Sequence, residues 1–205
     1  MASSNAKTLA LLVFCMLIAQ DGAALAVQPK ALPIVLDAQS ADGDLANNNV
    51  VFRKIKITQG DLSIAADMGQ GTQQKARIDF DNSLWIFRGN VKIVMDTGQL
   101  TSDDAQISFV KQSLSTVVVN GKPAAFAQHL AKTGKDAQGH ADSIDYDATK
   151  GLVRLSKNAW LSDGQTEIHG ESLKYNVLAQ SIVAEAAEQG SQRVHIVINP
   201  PASKP

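Results

Sequence analysis

The chain has 205 residues, 44 % of them apolar and 19 % charged, and its 19 Lys plus Arg nearly balance 20 Asp plus Glu. That profile excludes a disordered tail, a collagen-like repeat and a strongly basic nucleic-acid binder. No apolar run reaches the roughly 18–20 residues that a spanning helix needs, which excludes a multi-pass helical membrane protein.

Residues 1–26 read as a secretory leader. Lys7 supplies the positive start, residues 9–19 the apolar stretch, and Ala24-Leu25-Ala26 the small residues of a cleavage site. Cleavage after Ala26 is the expectation, and it leaves 179 residues without cysteine, because Cys15 lies in the leader. A chain of that length buries enough surface to be stable without disulfides. Leu12-Val13-Phe14 before Cys15 are not the small residues that precede a lipid anchor. The expected product is an exported, periplasmic protein with its fold over residues 27–199 and a flexible tail over 200–205.

Beyond the leader, alternation dominates. Arg53-Lys54-Ile55-Lys56-Ile57, Leu62-Ser63-Ile64, Gln106-Ile107-Ser108-Phe109 and Val194-His195-Ile196-Val197-Ile198 place apolar residues at period two, as half-buried strands do. Gly60-Asp61, Asp96-Thr97-Gly98, Asn120-Gly121-Lys122-Pro123, Thr133-Gly134 and Asp163-Gly164 punctuate them as turns. This density of turn signals predicts an all-β fold of many short antiparallel strands. Residues 180–188 have helix propensity, yet the reading there is strand or turn.

A short core recurs as Ala76-Arg77-Ile78-Asp79-Phe80, Ala105-Gln106-Ile107-Ser108-Phe109, Asp142-Ser143-Ile144-Asp145-Tyr146 and Glu171-Ser172-Leu173-Lys174-Tyr175, at spacings of 29, 37 and 29 residues. Residues 129–138 in the longer interval read as a loop insertion. A unit of this size cannot bury its apolar face alone, so stacked units predict an open, elongated, twisted jellyroll with two free ends. The predicted interior is Ile55, Ile57, Leu62, Ile64, Ile78, Phe80, Trp85, Phe87, Val91, Ile93, Ile107, Phe109, Phe126, Ile144, Tyr146, Val153, Leu155, Leu173 and Tyr175. Periodicity alone leaves open whether these fill a dry core or line a trough.

Motifs of catalysis are missing. His129, His140, His169 and His195 are scattered, and with no HxH or HExxH spacing they predict no metal site. Asp142, Asp145 and Asp147 lack the Gly and closing Glu of a calcium loop. There is no GxSxG and no phosphate-cradling loop, so the expectation is a protein that is not an enzyme and needs no cofactor. Arg53, Lys54 and Lys56, repeated one unit later by Arg88 and Lys92, form a positive strip.

Five segments in order resemble the OstA/LptA family: residues 57–67 (Ile-Thr-Gln-Gly-Asp-Leu-Ser-Ile-Ala-Ala-Asp), Arg88-Gly89-Asn90-Val91-Lys92-Ile93, Asn120-Gly121-Lys122-Pro123-Ala124-Ala125-Phe126, Gly139-His140-Ala141 and Leu155-Ser156-Lys157-Asn158-Ala159-Trp160-Leu161. The resemblance implies a twisted β-jellyroll in the lipopolysaccharide-transport bridge, with an apolar interior that shelters acyl chains while the sugars stay in water. It also implies end-to-end pairing of terminal strands, with an inner-membrane LptC-type protein at the N-terminal edge, an outer-membrane LptD-type protein at the C-terminal edge, and further copies of the chain between. Family positions that face lipid match Ile34, Phe126 and Tyr146. The alternating set adds Ile57, Ile64, Phe80, Phe87, Ile93, Phe109, Leu155 and Tyr175 as candidate acyl-chain contacts. Ile34, Leu36, Val194, Ile196 and Ile198 are the candidate partner-binding edge residues. Two departures stand out: residues 70–103 form an additional repeat relative to shorter members, and Lys157 stands where the family has Gly before Asn158. The rival reading is a structural or adhesive β-repeat protein with a filled core and no lipid cargo.

Overall fold

Alternating apolar residues pair into one antiparallel sheet of twelve strands. The computed structural model describes residues 32–44, 49–72, 78, 80–96, 98–130, 134–177, 179, 181–185 and 193–199. The leader with Ala26, and the tail over 200–205, lie outside the described residues. In chain order the strands are β1 (Val35–Asp37), β2 (Ser40–Asp44), β3 (Asn49–Gln59), β4 (Leu62–Thr72), β5 (Ser83–Met95), β6 (Gly98–Val110), β7 (Ser113–Leu130), β8 (Lys135–Asp147), β9 (Leu152–Ser162), β10 (Thr166–Asn176), β11 (Ser181–Glu185) and β12 (His195–Ile198). Each strand from β3 to β10 pairs with the next.

These strands run longer than the turn signals imply, because several of those signals sit inside strands. Asn120-Gly121-Lys122-Pro123 is a bulge within the 18-residue β7, with a cis Lys122–Pro123 peptide. The expected insertion at 129–138 is mostly strand too, since β7 runs to Leu130 and β8 starts at Lys135. Residues 181–185 are strand, as expected.

The bulges explain how one sheet encloses a core. Inward-facing residues change parity halfway along most strands: Phe52 is followed by Ile55, Leu100 by Ala105, Val119 by Ala124 and Ala141 by Ile144. Side chains alternate strictly, so a straight strand would turn one of each pair to solvent. Register shifts between Ala65 and Met68, Arg88 and Val91, Thr101 and Asp104, Asn120 and Ala124, His140 and Ser143, and Gly170 and Ser172 remove the conflict. They fall on one line across the sheet and bend each strand there. β5 and β9 keep their parity but hold two left-handed residues at the same level, Gly89-Asn90 (φ 76° and 49°) and Lys157-Asn158 (φ 63° and 53°).

The crease divides the sheet into two leaves that face each other. One leaf carries the 49–53 part of β3 and ends at β2 and β11; the other carries the 55–59 part and ends at β1 and β12. On the outer side the crease is pinned twice in the same way. Asn90 Nδ2 donates to Asp67 Oδ2 at 2.6 Å, with Lys54 Nζ 2.6 Å from Oδ1, and Asn158 Nδ2 donates to both Asp142 oxygens at 3.2 Å. The left-handed Lys157 is strained by about 1–2 kcal/mol relative to glycine. Lys157→Gly is therefore expected to stabilise the fold by about 0.5–1 kcal/mol after the added unfolded-chain entropy. A urea midpoint that falls instead would contradict the crease geometry.

In the repeated core, Ile144 and Tyr146 share rows with Leu173 and Tyr175 through β9, whereas the β6 pair lies two residues farther toward the rim, with Ile107 in the Tyr146 row. The first copy departs from this pattern. Ile78 is 47 % exposed and precedes β5, and the matching places on β4 are Gly69 and Gly71. A Cβ on Gly71 would lie 2.7 Å from the Trp85 ring, and one on Gly69 2.9 Å from Ile55 and 3.2 Å from Phe87. Large rings from adjacent β5 thus occupy the space β4 leaves empty. Trp85 stacks on Phe80 (centroids 4.8 Å, 8° between planes) and beside Phe52 (6.0 Å) and Phe87 (6.1 Å), and Phe80 meets Phe109 edge-on at 5.2 Å.

Candidate functional site

Buried residues fill the space between the leaves from β3 to β10, with a gap at the rim beside Phe126. Ile57, Ile64, Phe87, Ile93, Phe109, Leu155 and Tyr175 are buried in one contiguous core, and Phe80 is half-buried against it. At the end of β3 the two rims are tied together, because Gln59 Nε2 donates across to the Gln112 carbonyl at 2.8 Å. Past this tie, a cavity of about 190 Å³ lies between Leu100 and Phe126 of one leaf and Tyr146, Val153 and Val177 of the other, with Met95 at its mouth. Gly139, opposite Phe126 in register, carries no side chain and so leaves room for the Phe126 ring. A Cβ there would fall 2.5 Å from Phe126 Cε1 and 3.1 Å from Leu155 Cδ2.

Of the eleven sequence-predicted chain contacts, the structure brings Phe126 and Tyr146 together at this cavity. Ile34 is half-buried beside β1, away from the cavity lining. Leu36 is half-buried on β1, Val194 half-buried just before β12, and Ile196 and Ile198 are exposed on β12. These edge residues thus flank the two terminal strands of a single leaf. Leu100, Met95 and Val177 were not singled out from sequence. Val177 extends the alternation Leu173-Tyr175, a signal that was present, whereas Leu100 stands alone in Gly98-Gln99-Leu100-Thr101.

Chemically the cavity accepts apolar groups. It exceeds the ~150 Å³ that encloses a benzene-sized molecule and falls short of the ~300–1,000 Å³ of drug-sized pockets. A longer chain therefore enters only if the leaves part at this rim, where the unbranched Met95 and small Gly98 and Ala127 offer little resistance. Burial, and secondarily the charge of Asp147, raises the Tyr146 hydroxyl above the ordinary tyrosine range. Asp147 fixes the β8–β9 turn by accepting from the Thr149 hydroxyl (2.6 Å), the Thr149 and Lys150 amides and Lys150 Nζ (2.9 Å). The Thr149 hydroxyl, then Lys150, holds its carboxyl well below the usual range, and the hydrogen bonds of Lys54 and Asn90 lower Asp67 likewise. Both carboxyls bind a proton less readily folded than unfolded, so the stability they contribute is present above about pH 4 and lost as pH falls below it. Urea midpoints are expected to drop between pH 5 and pH 3, and the double variant Asp67→Asn, Asp147→Asn to show a shallower drop.

The outer face carries a cross-strand row, His140, Trp160, His169 and His195, with ring centroids 5.0, 6.4 and 5.8 Å apart. Among the described residues no three metal-ligating side chains come together. Asp142 and Asp147 are engaged at the crease and the turn rather than with each other. In the positive strip, Lys54 pairs with Asp67 and Arg53 lies 3.8 Å from Asp42.

Residues 72–181, just over half the chain, match the family model described as LptA/(LptD N-terminal domain) LPS transport protein. The lipopolysaccharide export system protein LptA of Escherichia coli (strain K12) is 35 % identical over 80 residues, 39 % of this chain and 42 % of that protein. The protein of the same name from Haemophilus influenzae is 33 % identical over 85 residues, 42 % of this chain and 48 % of its own. The matched region thus spans under half the length of these relatives. The crystal structure of LptH, the LptA-homologous periplasmic component of the lipopolysaccharide transport device of Pseudomonas aeruginosa, superposes with a TM-score of 0.55 at 20 % identity, covering 82 % of this chain and 96 % of that one. With more than half of its length matched by that model, the chain belongs to the LptA/(LptD N-terminal domain) LPS transport protein family.

Proposed function

We propose that this chain is a periplasmic lipopolysaccharide carrier, exported by a leader cleaved after Ala26, that holds acyl chains between its two leaves. The observation that carries the reading is the mainly apolar cavity at Phe126 and Tyr146, away from the Gln59–Gln112 tie. Each methylene taken from water is worth about 0.8 kcal/mol, so a lipid crossing an aqueous compartment needs such shelter. Among the described residues β1 and β12 end the same leaf with a neighbour on one side only, and exposed Ile196 and Ile198 leave the C-terminal edge apolar. Such edges accept an added strand. In this reading an LptC-type protein pairs at β1, an LptD-type protein at β12, and copies of the chain join end to end as a heterologous, non-closing contact. Nucleic acid has no part in it.

A filled scaffold is the second reading, favoured by the dense packing of Ile57, Ile64, Phe87, Ile93 and Leu155. Titration of the protein with lipopolysaccharide in a calorimeter separates the two. The carrier gives saturable binding that a single-chain detergent competes away; the scaffold gives none.

A further inference from the structure

The row His140, Trp160, His169 and His195 runs along the outer face of the leaf that ends at β12, each residue paired with the next across β8, β9, β10 and β12. Its chain neighbours Ala141, Ala159 and Leu161 are buried on the inner face, so strand alternation keeps anything bound to the row apart from the interior cavity. Where β10 bulges between Gly170 and Ser172, the row borders a depression of about 380 Å³, lined by His140, Asn158, Trp160, His169, Gly170 and Arg193. That volume falls within the ~300–1,000 Å³ of small-molecule sites.

The wall of this depression is cationic and aromatic. Arg193 brings a fork of N–H donors, and among the described residues no ion pair engages its guanidinium. Two carboxylates of the same outer face are held by other partners. Asp142 accepts from Asn158 Nδ2 with both oxygens at 3.2 Å, and Glu167 accepts from Trp160 Nε1 at 3.3 Å and Asn199 Nδ2 at 3.1 Å, with His169 Nε2 4.0 Å away. Neither lines the depression, nor does Glu171 beside Gly170. Those bonds engage the Asn158 and Trp160 side-chain donors, which leaves Arg193, His140 and His169 to meet a ligand. A guanidinium accepts nothing, so the set suits an acceptor-only anion, and a phosphate matches the arginine fork with two oxygens at once. A cation would meet Arg193, and an uncharged sugar would leave that charge unmatched. The depression is wider than a bare phosphate needs, and Trp160 offers the apolar wall for whatever carries it.

We infer that this depression is a binding site for a phosphomonoester on a small organic group. Arg193 clamps the phosphate, His140 and His169 donate to it, and Trp160 packs against the organic part. The site lies on the outer surface and stands whether or not the chain carries lipid.

The test titrates glucose 1-phosphate into the protein and follows the histidine ring signals by NMR. Saturable shifts are expected at His140 and His169 and none at His129, which pairs with Asp136 at the β7–β8 turn; glucose alone shifts none of them. Arg193→Gln is expected to weaken binding about tenfold, the scale of one charge-assisted hydrogen bond. Lys92→Gln removes an exposed cation three strands away in the same row and should change affinity less than about twofold. Vesicles containing phosphatidic acid, added as competitor, identify the source of the phosphate: displacement of glucose 1-phosphate supports the site with a lipid head group as ligand, and no displacement supports it with a soluble ester. Absence of saturable shifts overturns the site. So does equal weakening by Arg193→Gln and Lys92→Gln, which would reduce the binding to general surface charge.

Discussion

Phe126→Arg is expected to abolish lipopolysaccharide capture, lowering affinity by at least about tenfold, while the protein still folds. Phe126 is 8 % exposed, lies over Gly139 and forms one wall of the cavity, so its ring sits where an acyl chain would enter. A guanidinium in that space cannot be left desolvated, and its long stem lets it reach the nearby rim instead, filling the entrance with charge. Loss of the buried ring costs about 3 kcal/mol, within the total stability of an ordinary domain. Capture is read by retention of lipopolysaccharide on the immobilised protein, folding by a cooperative urea transition. Unchanged capture by a folded variant would count against the cavity as the binding place.

Trp85→Ala is expected to give the largest single loss of stability, about 3–5 kcal/mol. Trp85 is 1 % exposed and carries the aromatic stack of Phe52, Phe80 and Phe87. Gly69 and Gly71 on the neighbouring strand offer no side chain to relax into the gap, which puts the expected cost toward the top of that range. A lowered urea midpoint with an unchanged slope is the predicted signature. A loss below about 1 kcal/mol would mean that the stack does not hold the leaves together.

Period-two patterning was enough to place Ile107 and Phe109, Ile144 and Tyr146, and Leu173 and Tyr175 on the inner face, because each lies in a stretch with one parity. The crease was hidden for the opposite reason. Gly89-Asn90, Asn120-Gly121-Lys122-Pro123 and Lys157-Asn158 have the chemistry of turns, and local composition does not distinguish a turn that reverses the chain from a bulge that bends it. The parity change from Phe52 to Ile55, or from Ala141 to Ile144, is the readable trace of that bend. Ile78-Asp79-Phe80 copies the repeat in residue types but not in place, since Trp85 fills the space over Gly69 and Gly71 and Phe80 joins it from outside the strands. Phe126 and Tyr146 came from family resemblance; the seat of the Phe126 ring depends on Gly139, whose missing side chain matters only once β7 and β8 are in register.

Site-specific photocrosslinking to lipopolysaccharide from position 126, with the outward-facing position 145 as control, tests the central claim most directly. The account predicts an adduct at 126 and none at 145. Absence of an adduct at 126, and at Tyr146 on the opposite wall, would contradict a lipid path between the leaves.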